Sequence, residues 1–120
     1  MYTITHIRET SRIQLEPASV IAAALNGTQP VTSAVVQPVA GILGADAGIW
    51  ECTPGSWRRA TPHAEVMHFL SGECTFTPDG AEPMHIRTGD TVIFPTHTKG
   101  TWVVISTIRK VYVTLATATV

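Results

Sequence analysis

From about residue 45 onward, β-branched and aromatic residues fall in short runs, and turn-forming residues separate them. The runs lie at 49–53, 64–70, 74–77, 84–87, 91–94, 102–106 and 109–115. Between them stand Thr53-Pro54-Gly55, Ser71-Gly72, Pro78-Asp79-Gly80, Thr88-Gly89-Asp90 and Lys99-Gly100. Short strands at this spacing predict an all-β sandwich or barrel. The connections are too short for parallel crossovers, so antiparallel pairing is expected. Only residues 19–25 read as helix: Ser19 can cap it, alanines favour it, and Asn26-Gly27 can stop it.

Residues 17–45 carry no charged side chain. A membrane span is not expected there, because Pro17, Pro30 and Pro38, with Gly27, Gly41 and Gly44, interrupt the stretch. Its apolar residues (Val20, Ile21, Leu25, Val35, Val36, Val39, Ile42 and Leu43) are too few for a separate core. The expected organisation is an N-terminal arm over 1–44, with a short helix and an edge strand, followed by a barrel over 45–120. An edge strand from the arm that adds to a neighbour's sheet predicts a homodimer.

Composition narrows the picture. The 120 residues fit one domain, with 44% hydrophobic and 14% charged residues. So little charge points to a surface covered by a partner subunit. The net charge is −1 and no basic stripe exists, which argues against a nucleic-acid partner. The opening MYTITHIRETSR has no apolar signal core, so a cytoplasmic location is expected. In that setting Cys52 and Cys74 read as reduced core thiols.

Candidate chemistry concentrates in GIWECTPGSWRRATPHAEVMHFLSGE, residues 48–73. On a strand, positions i and i+2 share a face. If Glu65 points into the barrel, so do His63, Met67 and Phe69, while His68 points out. His97 follows the strand ending at Phe94-Pro95 and can lie at the same mouth. His63, Glu65 and His97 are thus an alternative set of N and O ligands with an open position for water. Alternatively, Glu65 is a buried carboxylate paired with Arg58 or Arg59. Either arginine can also receive a ligand carboxylate. Trp50, Trp57 and Trp102 are core or pocket residues.

Glu65 followed by Gly72, then Gly89-Asp90 and Pro95, resembles the two halves of the cupin signature. GIWECTPG at 48–55, GTW at 100–102 and IRKVYV at 108–113 tighten the likeness to the small cupins related to ureidoglycine aminohydrolase. The resemblance covers roughly 45–115 and implies a double-stranded β-helix, or jelly-roll, barrel. It also implies a metal held by three histidines and a glutamate. Here the paired histidine slots fall on Arg58 and Ala60 or on Arg59 and Thr61, and the third falls on Gly100. Only Glu65 remains, and one carboxylate does not hold a transition metal.

Two functions follow, beside a purely structural dimer whose barrel is filled and has no pocket. In the first, the barrel binds a small polar or anionic metabolite without a metal or other cofactor. Its lining is then Trp57, Arg58, His63, Glu65, Met67, Phe69, Phe94, His97 and Trp102. In the second, implied by the resemblance, it is an aminohydrolase-like enzyme acting on a ureide or related nitrogen-rich acid. Zinc, manganese or nickel would then sit at His63, Glu65 and His97, and Glu65 or His63 would serve as general base. Loss of the three standard histidines favours the first.

Overall fold

A computed structural model of the chain describes residues 2–116. Among these residues there is no helix, and nine strands form one antiparallel sheet. The all-β expectation therefore holds.

Two long strands run through the centre. β6 (Ala64–Pro78) and β9 (Gly100–Leu115) pair along nearly their whole length. Beyond β9 lie β4 (Ala45–Cys52), against residues 108–115, and β5 (Gly55–Arg59), against residues 100–104. Beyond β6 lie β8 (Thr91–Phe94), against residues 65–68, and β7 (Met84–Arg87), against residues 73–76.

The β6–β9 ladder shifts register repeatedly between Phe69 and Cys74. Bulges bend strands and increase their twist, so the sheet folds over and its halves face each other. One core joins them. Met67, Phe69, Phe94 and Ile108 come from one half, and Phe76, Ile86, Trp102 and Val104 from the other. The Phe76 and Phe94 ring centroids are 4.6 Å apart. This is a jelly-roll barrel in which the long strands run from one half of the folded sheet to the other.

The bulge corrects the reading of Ser71-Gly72 as a turn. Runs 64–70 and 74–77 fuse into β6, and runs 102–106 and 109–115 fuse into β9. Gly72 has φ 88°, and a Cβ there would fall 2.2 Å from the Thr107 carbonyl oxygen. Buried positions on β6 change from 65, 67 and 69 to 74 and 76 across it. β7 and β8 have the expected bounds, whereas β5 was hidden by Arg58-Arg59, which break its apolar pattern.

The helix expected at residues 19–25 is replaced by a strand. Ala24–Leu25 is β2, antiparallel to Ser56 and Trp57. Asn26 and Gly27 have φ 56° and 68°, and the Thr28 N–H donates to the Leu25 carbonyl at 3.0 Å. That is a two-residue Asn-Gly turn, not a helix stop. A seven-residue helix barely repays its nucleation cost, and the edge of β5 offers partners instead. β3 (Thr32–Pro38) pairs with β4 along its full length, and the two-residue β1 (Glu16–Pro17) lies outside it at Ser33 and Ala34.

A buried arginine fastens the segment before β1. Arg109 donates to the carbonyls of Thr10 (3.1 Å) and Ile13 (2.8 Å), and its Nε donates to Glu51 Oε1 at 3.1 Å. Cys52 and Cys74 are fully buried free thiols, and burial pushes both up to about 12.

Candidate binding site

Three ladders converge on one end of the barrel. Trp57 and Trp102 are opposite partners on β5 and β9, and their rings stack with centroids 6.1 Å apart. Trp50 on β4 meets Trp57 edge-on at 6.0 Å. Lys110 on β9 is the cross-strand partner of Trp50.

The lysine lies between these rings and a carboxylate. Its Nζ is 4.8 Å from the centre of the Trp50 ring and 5.6 Å from that of Trp102. It donates to Glu65 Oε2 at 2.9 Å. Arg59 Nη2 stands 3.7 Å from the other Glu65 oxygen. The Arg59 guanidinium also donates to the carbonyls of Thr98 (2.7 Å) and His63 (3.3 Å), and lies 4.7 Å above the Phe94 ring. Glu65, Arg59 and Lys110 are all buried. Burial lowers the Arg59 pKa, and the Glu65 charge opposes that shift.

Above this trio opens a cavity of about 570 Å³. The three tryptophans and the charged trio line it, together with Ser19, Thr61, His63, Tyr112 and Thr114. Tyr112 is half-buried opposite Gly48. A Cβ at Gly48 would come within 3.0 Å of the tyrosine hydroxyl and 2.1 Å of the Val35 carbonyl oxygen, so the glycine makes room for the ring. Burial raises the Tyr112 pKa, and the charges of Asp46 and Glu65 add to it.

Of the residues singled out from sequence, Trp50, Trp57, Arg59, His63, Glu65 and Trp102 line this cavity. Met67, Phe69 and Phe94 share the inward face, but they sit in the packed core. Arg58 faces the other way. Alternation along β5 sends Trp57 and Arg59 inward and leaves Arg58 outside, bidentate on Asp79 at 2.6 and 2.8 Å. His97 is exposed on the loop after β8, at φ 62°, and its N–H donates to the Pro62 carbonyl. It does not reach the lining. His68 points outward to the Thr91 hydroxyl, as alternation predicts.

Lys110, Tyr112 and Thr114 were missed. Their signal is the parity of IRKVYV: with Ile108 inward, positions 110, 112 and 114 follow it.

The donor set does not fit the metal that the fold family implies. Arg59 and Thr61 line the cavity in two of the histidine slots. Among the described residues, no group of three or more His, Cys, Asp or Glu is placed to hold a metal ion. Both Glu65 oxygens already face cations. The trio carries a net positive charge, so an added cation at about 4 Å would meet net repulsion of roughly 4 kcal/mol per unit charge at an effective dielectric constant near 20.

The comparisons agree with this architecture. A protein of the DUF861 family from Pseudomonas syringae, of unknown function, superposes with a TM-score of 0.73 at 19% identity, over 87% of this chain and 45% of that one. The Clostridium difficile EutQ protein gives 0.62 at 17% identity, over 72% and 63%. A putative ethanolamine utilization protein from Salmonella typhimurium gives 0.62 at 14% identity, over 85% and 97%. The chain thus spans about half the length of the first of these structures. No curated protein matches it. Residues 44–112 match the model of the EutQ-like cupin domain, and with more than half of its length inside that match the chain belongs to the EutQ-like cupin family.

Proposed function

We propose that this cupin domain binds a small anionic metabolite with a flat portion, and that it does so through fixed protein charges instead of a metal. The observation that carries the reading is Lys110 held at the inner end of the cavity between Glu65 and two indole faces. Lys110, Arg59 and Glu65 sum to one positive charge. An ammonium has three donors, and Glu65 accepts one of them. The remaining donors favour an anion, and the indoles favour a flat group. The volume falls within the range of small-molecule sites.

Titrating small carboxylates against tryptophan fluorescence tests this, because all three tryptophans line the cavity. Saturable quenching by an aromatic carboxylate such as mandelate is expected. An unchanged spectrum across aliphatic and aromatic carboxylates would remove the reading.

The aminohydrolase-like alternative requires a metal at His63, Glu65 and His97, where the donors do not fit one. Ammonia release from a ureide would restore it. We also propose a homodimer: β1 covers β3 only at Ser33 and Ala34, and exposed Val36, Ile42 and Leu43 lie on or just beyond the rest of that edge strand. A monomeric mass by light scattering at micromolar concentration would contradict it.

A further inference from the structure

We infer that Lys110 is an amine nucleophile, and that it condenses with the carbonyl group of a small oxo acid bound in the cavity to form an imine. This rests on the anion-binding reading above and narrows its ligand to a carbonyl compound.

Three features of the cavity meet the needs of that chemistry. Lys110 lines the cavity, with its Nζ over the rings of Trp50 and Trp102 that line it too, so a ligand carbon can approach from that side. A proton acceptor is already in contact, since Glu65 Oε2 lies 2.9 Å away. The surroundings stabilise positive charge at one point, with a carboxylate on one side and the faces of Trp50 and Trp102 on the other. An ammonium and a protonated imine carry that charge at the same nitrogen. The site therefore keeps its stabilisation from reactant to product, and a buried lysine with a proton acceptor in contact suits Schiff-base formation.

The step balances. The ammonium passes one proton to Glu65, and the free amine adds to the carbonyl carbon as the C–N bond forms. The C=O electron pair moves to oxygen, which takes a second proton from the nitrogen. The resulting hydroxyl leaves as water with the proton held by Glu65, while the nitrogen pair closes the C=N bond. The products are one protonated imine and one water, and Glu65 is again a carboxylate. The oxo acid's own carboxylate would lie toward Arg59 and His63 on the same wall.

The sequence supplies an internal control, because the chain has two lysines and the other, Lys99, is exposed ahead of β9. The test is to incubate the protein with phenylglyoxylate and sodium cyanoborohydride, and to locate the reduced adduct by peptide mass spectrometry. Mandelate, the hydroxy counterpart that cannot condense, reports simple binding by tryptophan quenching. We expect at least tenfold more adduct on Lys110 than on Lys99, with mandelate protecting Lys110 alone and Glu65→Gln slowing its labelling. The wild-type comparison stands even if that variant folds poorly. Adduct on Lys110 no greater than on Lys99, with mandelate still bound, would overturn the nucleophile and leave the binding reading intact. Neither adduct nor quenching would overturn both. Selective adduct without mandelate binding would keep the nucleophile and remove the anion preference.

Discussion

Lys110 and Trp50 face each other across the β4–β9 ladder, and the lysine nitrogen lies 4.8 Å from the centre of the indole ring. On its other side the same nitrogen bonds Glu65, a partner 45 residues away in sequence. The buried carboxylate is therefore compensated by two cations, Lys110 at 2.9 Å and Arg59 at 3.7 Å.

That arrangement makes the three charges unequal under mutation. Glu65→Gln leaves Lys110 and Arg59 buried together without an anion. It should cost about 3 kcal/mol, as expected for removing one partner of a buried ion pair. Lys110→Met leaves Glu65 with Arg59 and should cost less. Glu65→Leu combined with Lys110→Met should recover part of the loss. Urea unfolding of the three variants gives the order, and a Glu65→Gln variant as stable as wild type would refute it.

Much of this was legible in the sequence, and the gaps have physical causes. Strands β7 and β8 stand between strong turn signals, so their bounds could be read directly. The inward parity of Glu65, Met67 and Phe69 followed from alternation alone. Ser71-Gly72 misled because a bulge and a turn use the same residues, and only the pairing of Ser71 with Arg109 and of Glu73 with Ser106 tells them apart. Residues 19–25 misled because local helix preference lost to an open strand edge. Lys110 was missed because Arg109 and Lys110 are adjacent charges, and both are buried on opposite faces of β9. Arg109 holds the arm, and Lys110 enters the cavity.

The two adjacent arginines of β5 should separate cleanly. Arg58 pairs with Asp79 at the surface, so Arg58→Ala should leave mandelate affinity unchanged within twofold. Arg59→Ala removes a buried charge beside Glu65 and should weaken binding at least tenfold. Fluorescence titration of both variants decides it; equal effects would mean that the facing of β5 is misassigned.

Arg109→Ala should free the segment before β1. Removing the donors to the Thr10 and Ile13 carbonyls leaves that segment without its anchor on β9. Limited proteolysis should cut it at least severalfold faster than in wild type, with the barrel core still protected. Ser19 lines the cavity from the arm that follows, so ligand affinity should fall as well. An unchanged cleavage rate would show that other contacts hold the arm.

The core thiols set an alkaline limit on stability. Burial raises the pKa of both Cys52 and Cys74 to about 12, from an ordinary value of 9.0. Above about pH 9 the unfolded chain releases thiol protons that the folded chain retains. It then binds fewer protons than the folded state, so stability falls as pH rises. The loss should run from about pH 9 to about 12. In the native protein both thiols should resist a thiol reagent at pH 8 and react on unfolding. Rapid native labelling would contradict the packing of Cys52 and Cys74.

In the proposed site, fixed protein charges hold the anion in the slots where the cupin resemblance implies a metal. Calorimetric titration of mandelate into the protein with EDTA present is the decisive measurement. Saturable 1:1 binding that EDTA does not alter is expected. Lys110→Met should weaken it about tenfold or more, the scale of one charge-assisted hydrogen bond. Binding that appears only after a divalent metal is added, or that is indifferent to Lys110→Met, would contradict it.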